Sequence, residues 1–420
     1  MKWRNQLLAL FCLALFVAFG VFYFQHWVVQ KPFGIILFIG EGLTPSRLAA
    51  TRVFAGGVDT PLALDSMPHL ALLRNFSNDF AAPDSGAAAL ALATGTKVNN
   101  RSNGASAPNL LELARRAGRA TGLVTDGKLT GPVPAAFYAR GSEIASPTEF
   151  SRLLTETSNL DVALGGGVQD FLPESREGTR NDGRDLVAEM QRKGFDVART
   201  KAELEAIPGW RRPKVFGAFS KADFAYADHI EARNEQPTLP DMVRRAIELL
   251  QYNRGGYLLV IDARLMRKAA EQNDAEHALA ETVELDRAIA MARGYAGAKS
   301  TVIVCGDVGV GGLHLNGFPF RSDRGIAVLG LNSTGDPWLS WATGPHGAKS
   351  YGAAKLAAQQ SPTPSEPAVT EPSQEPAAFY APAALETVED VIALAAGHGA
   401  ENIRGSLDST AIFKIIRDLL

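Results

Sequence analysis

The chain of 420 residues contains little cysteine and little net charge. Its two cysteines are Cys12, in an N-terminal apolar segment, and Cys305, at the end of a later apolar run. A disulfide framework is therefore not expected, and the cysteine count does not identify the compartment. The formal net charge is -3, so bulk charge does not indicate nucleic-acid binding. No internal repeat is visible.

The N-terminus has the pattern of an export signal. Lys2 and Arg4 precede Leu7–Phe24, a stretch without charged residues that approaches the length needed to cross a bilayer. No small-residue cleavage pattern follows. We therefore expect residues 1–30 to form an uncleaved signal anchor that leaves the rest of the chain membrane-anchored and extracytoplasmic, in the periplasm or at the cell surface. The alternative is a cleaved signal peptide.

Short apolar runs alternate with helical patterns through residues 31–420. This alternation predicts a single α/β domain with a central, mainly parallel sheet sandwiched by helices. Ala275–Ala296 has the pattern of a long helix. The predicted strands are Gly34–Gly40, Thr121–Thr125, Tyr257–Ile261 and Thr301–Cys305.

An acidic residue stands at or just after the end of each predicted strand: Glu41, Asp126, Asp262 and Asp307. Ligands of open α/β sheets bind at the carboxyl ends of the strands, so these side chains are candidate metal ligands. Acidic residues are also common in turns. Further along, residues 358–384 are rich in proline, serine and glutamate, which predicts a flexible insertion.

Asp84 and Ser85 precede the alanine-rich stretch Gly86–Ala93, which favours a helix. A helix N-terminus attracts phosphate through its amides and its dipole. Ser85 is therefore a candidate nucleophile, provided that something lowers the cost of its ionisation. The alternative is that Asp84 and Ser85 only cap the helix.

Seven further segments are informative when they are taken together: GIILFIGEGL (34–43), PDSGAAALALATG (83–95), GLVTDGKLTGPVPAAFYAR (122–140), DVALGGG (161–167), LAETVELDRAI (279–289), VIVCGDVGVGGLHLNG (302–317) and GAENIRGSLDSTAIF (399–413). They resemble the alkaline phosphatase family, in the order in which the family has them. The resemblance implies the alkaline phosphatase fold, phosphate-monoester hydrolysis with Ser85 as nucleophile, two zinc ions with a supporting magnesium ion, and a possible homodimer.

Several metal-ligand positions of the family are occupied by unusual residues. Carried over one at a time, the resemblance assigns Glu41, Asp262, Glu271 and Asp307 to metal positions, with Glu271 in place of a histidine. Arg267 takes the place of a zinc-binding aspartate and cannot ligate. The family's loop histidine, its magnesium-binding threonine and the histidine beside Asp307 are likewise absent: those positions are Gly131, Val133 and Val308.

The last zinc-binding histidine has two possible positions, because the proline-rich insertion divides the segment that normally carries it. One alignment assigns His346, and the other puts Val388 there and leaves the ligand absent. The resemblance also suggests Asp84, Arg267 and Arg140 as substrate-binding residues, although the spacing of Arg140 does not match the family's phosphate-binding arginine.

Two functions are compatible with these substitutions. The first is a phosphate-monoester hydrolase with Ser85 as nucleophile and a reduced or altered Mg²⁺ and/or Zn²⁺ site, whose ordinary activity is impaired. The second is an inactive, membrane-tethered pseudophosphatase that acts as a binding or scaffolding domain, with Arg267 supplying the charge of a lost metal. Nothing selects a related sulfatase or phosphodiesterase activity. The partner is accordingly a small phosphate ester or none.

Overall fold

The structure is a computed structural model that describes residues 2–23, 33–102, 104–141, 146–229, 235–297, 299–317, 319, 321, 323–331, 336–346 and 375–420. The helices are α1 (Lys2–Tyr23), α2 (Pro45–Gly56), α3 (Ser85–Thr94), α4 (Leu110–Arg116), α5 (Pro132–Tyr138), α6 (Pro147–Glu156), α7 (Leu186–Arg192), α8 (Lys201–Ala206), α9 (Leu239–Leu250), α10 (Leu265–Glu271), α11 (Ala275–Ala296) and α12 (Thr410–Leu419).

The strands are β1 (Gly34–Gly40), β2 (His69–Arg74), β3 (Ala120–Lys128), β4 (Val162–Gly166), β5 (Phe195–Ala198), β6 (Lys214–Ala218), β7 (Tyr257–Ala263), β8 (Thr301–Gly306), β9 (Gly309–Val310), β10 (His314–Leu315), β11 (Leu339–Gly344), β12 (Ala377–Tyr380), β13 (Glu386–Thr387), β14 (Val391–Gly397) and β15 (Gly405–Asp408).

Ten strands form one sheet in the order β15-β2-β14-β8-β1-β7-β3-β4-β6-β5. The neighbours of β14 run antiparallel to it, and the other pairings are parallel. The predicted α/β class with a mainly parallel central sheet is confirmed. In such a sheet the carboxyl ends of β3, β7, β1 and β8 lie next to one another, which places the residues that follow these strands at one edge.

Strand β1 illustrates why continuous apolar runs form the centre of this sheet. All of its residues are buried, and alternate side chains enter two different hydrophobic cores. Ile35, Leu37 and Ile39 pack in the core that includes helix α3, whereas Ile36 and Phe38 pack in the core beneath α9 and α11. Both faces are thus covered by helices, as expected for parallel strands.

Helix α1 contains a stretch, Trp3–Val21, that is long and apolar enough to cross a membrane by length and composition alone, and none of it is buried against the domain. The rest of the predicted anchor, residues 24–30, lies outside the described residues.

The predicted flexible insertion needs a correction at its C-terminal end. Residues 358–374 lie outside the described residues, but residues 375–384 do not form one irregular stretch, because strand β12 pairs in parallel with β11. The physical reason is local composition. Ala377–Tyr380 contains no proline and ends in two aromatic residues, so its backbone amides are free to join a sheet.

Candidate functional site

Register brings the acidic strand ends together. Ile39 of β1 pairs with Asp262 of β7 on one side and with Cys305 of β8 on the other. Glu41 follows β1 by one residue and Asp307 follows β8 by one residue. Asp262 also pairs with Thr125 of β3. Carboxylates from three strands therefore meet at one edge of the sheet.

Ser85 is the first residue of α3 and lies against this edge. Asp84 is the N-cap residue of the helix, and its Oδ1 accepts a hydrogen bond of 2.8 Å from the amide of Ala87. Ser85 is buried, and its Oγ donates a hydrogen bond to Glu41 Oε2 over 3.2 Å. Capping and contact with the acidic edge are thus both present, so the two explanations of the Asp84-Ser85 sequence are compatible.

Glu41 and Asp262 form a buried pair of carboxyl groups, which we call the carboxylate pair. Glu41 Oε1 and Asp262 Oδ1 have no hydrogen-bond donor among the described residues, while Asp262 Oδ2 accepts from Thr125 Oγ1 over 2.7 Å. Burial raises the pKa of both groups; repulsion from Asp307 raises that of Glu41 further, and repulsion from Glu41 raises that of Asp262. A proton or a cation must lie between two such carboxyl groups.

Asp307 lies beside the carboxylate pair and is fixed by the turn that follows β1. Its Oδ1 accepts a hydrogen bond of 2.8 Å from the amide of Gly42, which has a φ of +83°. This left-handed conformation suits glycine, and a Cβ there would lie only 2.7 Å from Arg47 Nη1. Burial raises the pKa of Asp307, against the opposing effect of Arg267. Gly42 therefore positions one carboxylate while it allows the chain to turn.

The other side of the site contains alternating charges, which we call the arginine network: Arg264, Arg267, Glu271 and Glu386. Arg264 binds Glu271 through two parallel hydrogen bonds of 3.1 and 3.0 Å. Arg267 donates through Nε to Glu271 over 2.8 Å and through Nη2 to Glu386 over 2.5 Å. These charge-assisted contacts are the strong type of hydrogen bond, and they occupy the oxygens of Glu271.

The two arginines also reach the carboxylates next to Ser85. Glu41 Oε2 lies 3.5 Å from Arg264 Nη1 and 3.7 Å from Arg267 Nε. Arg267 Nη1 lies 3.9 Å from Asp307 Oδ2, beyond hydrogen-bond distance. Arg267 Nη1 is thus a buried guanidinium donor without a hydrogen-bond partner among the described residues.

Ionisation differs across the site. Burial alone would raise the pKa of Glu271, but the adjacent Arg264 and Arg267 outweigh it and lower the pKa. Burial alone would lower the pKa of Arg267, and the surrounding carboxylates raise it instead. Arg264, Arg267 and Glu271 are therefore charged at neutral pH, whereas the carboxylate pair resists full ionisation.

A cavity of about 260 Å³ opens onto the junction between the two regions. Its lining comes from the start of α3, the start of α5, helix α10 and strand β13: Asp84, Ser85, Gly86, Pro132, Arg264, Arg267, Glu271 and Glu386. The predicted residues Ser85, Asp84, Arg267 and Glu271 therefore share one cavity. Glu41 and Asp307 lie behind it, next to Ser85 and Arg267, and Asp262 lies beside Glu41.

Two predicted site residues lie elsewhere. Arg140 lines a different cavity with Glu112, to which its Nη1 is paired at 3.4 Å, because helix α5 carries it away from Ser85. Its assignment as a substrate-binding residue of this site is corrected accordingly. His346 follows β11, where its amide donates to Asn273 over 3.5 Å and its carbonyl accepts from Ala377. No contact among the described residues joins its ring to the carboxylates.

The sequence alternatives for the last zinc ligand both missed the residue that occupies this part of the site. Strand β13 pairs antiparallel with β9, just after Asp307, and this pairing places Glu386 at Arg267. Val388 is 74% exposed and does not line the cavity. Arg264 was also missed, although its position two residues after Asp262 at the end of β7 was a usable signal.

Comparison with known proteins gives this geometry its context. A family model described as alkaline phosphatase matches residues 34–420. The chain belongs to the alkaline phosphatase family. A tissue-nonspecific alkaline phosphatase of Gallus gallus is 28% identical over 360 residues, covering 73% of this chain and 68% of that protein. A membrane-bound alkaline phosphatase of Bombyx mori is 27% identical, covering 74% and 66%. The chain spans about two thirds of the length of these relatives.

Solved alkaline phosphatases share the fold. The enzyme of the Antarctic bacterium TAB5 has a TM-score of 0.69 at 19% identity, with 93% of this chain and 98% of that chain covered. The enzyme of Thermus thermophilus has a TM-score of 0.70 at 22% identity, with 93% and 92% covered. Variants of the TAB5 enzyme with a histidine replaced by glutamate or aspartate have been solved with Mg bound in a site named M3.

The residues of this chain do not fit the two zinc ions of the alkaline phosphatase family. Catalytic zinc is usually held by nitrogen or sulfur donors together with carboxylate oxygens. The described residues that line the Ser85 cavity include no histidine or cysteine, and Glu271 and Glu386 are already paired with arginine. A cation between these two carboxylates would have to displace Arg267.

A single Mg²⁺ ion fits better. Magnesium is usually bound by one or two carboxylates, several waters and substrate phosphate oxygens. The carboxylate pair offers two buried oxygens without donors, Glu41 Oε1 and Asp262 Oδ1. These two residues would hold the ion, which would neutralise their repulsion and supply positive charge to a bound phosphate.

Proposed function

We propose that this protein binds phosphate monoesters in the Ser85 cavity and hydrolyses them slowly, with Ser85 as nucleophile and without the two-zinc centre of its family. The observation that carries the proposal is that Ser85 and Arg267 line one cavity, with Arg267 Nη1 left without a hydrogen-bond partner among the described residues. Arginine matches phosphate oxygens well because its donors are planar and permanently charged. The start of α3 adds backbone amides and the positive end of a helix dipole.

The chemistry would begin with the proton on Ser85. Its Oγ already donates to Glu41 Oε2, and the raised pKa of Glu41 makes that carboxylate a better base than an ordinary glutamate. As Oγ forms a bond to phosphorus, its proton passes to Glu41, and the bond from phosphorus to the leaving oxygen breaks. The leaving oxygen takes a proton from solvent. Water then attacks phosphorus and releases a proton to solvent, the bond from phosphorus to Ser85 Oγ breaks, and Oγ recovers its proton from Glu41.

The two arginines near Ser85 would affect the rate of hydrolysis in opposite ways. Arg264 and Arg267 would stabilise charge on the phosphoryl oxygens, as arginines do in other phosphoryl-transfer sites. The same arginines lie within 3.7 Å of Glu41 and hold its pKa below the value that burial alone would give, which limits its strength as a base. Slow turnover is therefore expected even when binding is firm.

A second candidate is a pseudophosphatase that binds a phosphate ester or another anion without turnover. It is favoured by one observation: the carboxylates around Arg267, at distances of 2.5 to 3.9 Å, already satisfy most of the charge in the site. A resting network of this kind needs no metal. In either case, helix α1 would tether the domain on the extracytoplasmic side of a membrane.

The test is p-nitrophenyl phosphate hydrolysis by the full chain in detergent, with Mg²⁺ or with Zn²⁺, beside Ser85→Ala and the control Ser406→Ala on the exposed β15. The proposal predicts slow turnover that Mg²⁺ increases, that Ser85→Ala abolishes and that Ser406→Ala preserves. Phosphate binding without turnover, measured by calorimetry, would favour the second candidate. Failure to bind phosphate at all would contradict both.

A further inference from the structure

Away from the Ser85 cavity, two histidines and one aspartate converge. Asp228 and His229 lie in the segment that follows β6, and His277 lies in the first turn of α11. One potential ligand atom from each lies within 4.8 Å of the others. Among the residues that the structure describes, this is the one group of three or more such donors that meets this distance. Two imidazoles and a carboxylate are the donor set that suits zinc.

The distances are those of ligands around one ion. His277 Nε2 lies 3.1 Å from Asp228 Oδ2. Two donors bound to tetrahedral zinc at about 2.0–2.2 Å are separated by roughly 3.3 Å. The ring of His229 lies at a centroid distance of 5.6 Å from that of His277, at an interplanar angle of 71°. An edge-to-face arrangement of this kind allows two imidazole nitrogens to face one point.

His277 is also oriented as metal-bound histidines are. Its other ring nitrogen, Nδ1, lies 2.5 Å from Asp274 Oδ2, so Nε2 is the nitrogen directed toward Asp228. Histidines that bind zinc commonly pair the second nitrogen with a carboxylate in this way. Tyr226 stacks on the His277 ring at a centroid distance of 4.2 Å and fixes its plane. Asp274 and Tyr226 are therefore positioning residues.

The competing occupant of this space is a proton. Hydrogen bonds to Asp274 and Asp228 raise the pKa of His277 to about 9, so in the absence of metal the ring is a cation between two carboxylates. That arrangement explains Asp274 and Asp228 but gives no role to His229, which is exposed and turned toward the same group.

We propose that Asp228, His229 and His277 bind one divalent transition-metal ion, with zinc as the preferred ion and water completing the coordination. The ion would clamp the segment after β6 to the start of α11. This site is independent of the Ser85 cavity, with which it shares no lining residue.

The test is titration of the chelator-stripped full chain in detergent with Co²⁺, followed by displacement with Zn²⁺. The proposal predicts the visible absorption of a four-coordinate cobalt site at one equivalent, and a rise in melting temperature with zinc. His229→Gln and His277→Gln should lose the band. Asp274→Asn should keep it with about 10- to 100-fold weaker affinity. The control His398→Gln, which changes an exposed histidine elsewhere, should behave as the wild type.

Glu41→Gln tests whether the cobalt band comes from this site or from the Ser85 cavity. The proposal predicts that the band remains in this variant. An absent band, or a band of equal strength in His229→Gln, would overturn the proposal. His229 is exposed, so its replacement tests the site even if His277→Gln fails to fold.

Discussion

The arginine network and the carboxylate pair lie side by side in this site, and they hold buried charge in opposite ways. In the arginine network each glutamate is paired with an arginine, and the pKa of Glu271 is lowered. In the carboxylate pair two acids face each other with unpartnered oxygens, and their pKa values are raised. The difference teaches that side chains balance the charges of the arginine network, whereas two oxygens of the carboxylate pair have no partner among the described residues.

The largest effect on stability is expected when the positive charge of Arg267, which lies between the two regions, is removed. Arg267→Met would leave Glu386 and Asp307 without their main partner, and removal of one member of a buried charge network costs about 3–5 kcal/mol. We expect a loss of that size in the free energy of unfolding, measured by urea denaturation of the full chain in detergent.

Lys268→Met on the same helix is the matched control for this change. Its ammonium is more exposed than the guanidinium of Arg267 and lies 3.7 Å from Asp223. Such surface pairs contribute about 0–1 kcal/mol. Equal losses in the two variants would contradict the central position given to Arg267.

The next test concerns the pH dependence of the carboxylate pair. The pKa of Glu41 rises from 4.5 to about 7 in the folded state, so the folded protein binds more protons than the unfolded chain between these values. This contribution to stability is present below pH 4.5 and is lost as the pH rises toward 7. At about 1.4 kcal/mol per pKa unit, the loss amounts to roughly 3 kcal/mol.

Glu41→Gln should abolish this contribution. With chelator present, the free energy of unfolding of the variant minus that of the wild type should increase between pH 4.5 and pH 7, since all other titrating groups are shared. Mg²⁺ should stabilise the wild type more at pH 8 than at pH 5 and should leave the variant unchanged. A flat difference across this range would contradict a raised pKa at Glu41.

A smaller effect on stability is expected from a change at Glu386, which tests whether this residue competes with a ligand for Arg267. Glu386→Ala removes one charge-assisted hydrogen bond to Arg267, and Glu386 is 29% exposed. We therefore expect a loss below the usual value of about 1.5–3 kcal/mol for hydrogen bonds to charged groups. The vacated guanidinium should bind inorganic phosphate more tightly, which calorimetry would measure. Weaker phosphate binding would show that Glu386 is not a competitor of the ligand.

The smallest expected effect on stability is that of Ser85→Ala. The change removes the hydrogen bond to Glu41, which contributes about 0.5–1.5 kcal/mol. The same variant should lose all turnover, so a small loss of stability should accompany a complete loss of activity. A large loss of stability would indicate that Ser85 is mainly a structural residue of α3.

The sequence predicted the fold because its strands are continuous apolar runs, and it predicted Glu41, Asp262 and Asp307 as neighbours because strand ends meet at one edge. It did not predict Glu386, since the insertion separates β11 from β13 along the chain and only the pairing of β13 with β9 returns Glu386 to Arg267. The family resemblance suggested Arg140 although its spacing did not match, and the side chain lines another cavity. Distances between side chains on different elements depend on tertiary packing, which a single sequence does not give.

The most direct measurement of the central claim is an anomalous diffraction map at the zinc absorption edge, from crystals grown with both Mg²⁺ and Zn²⁺. The account predicts no zinc peak between Glu271 and Glu386 next to Ser85, where Arg267 supplies the positive charge. A pair of zinc peaks at that position, with Arg267 displaced, would contradict it.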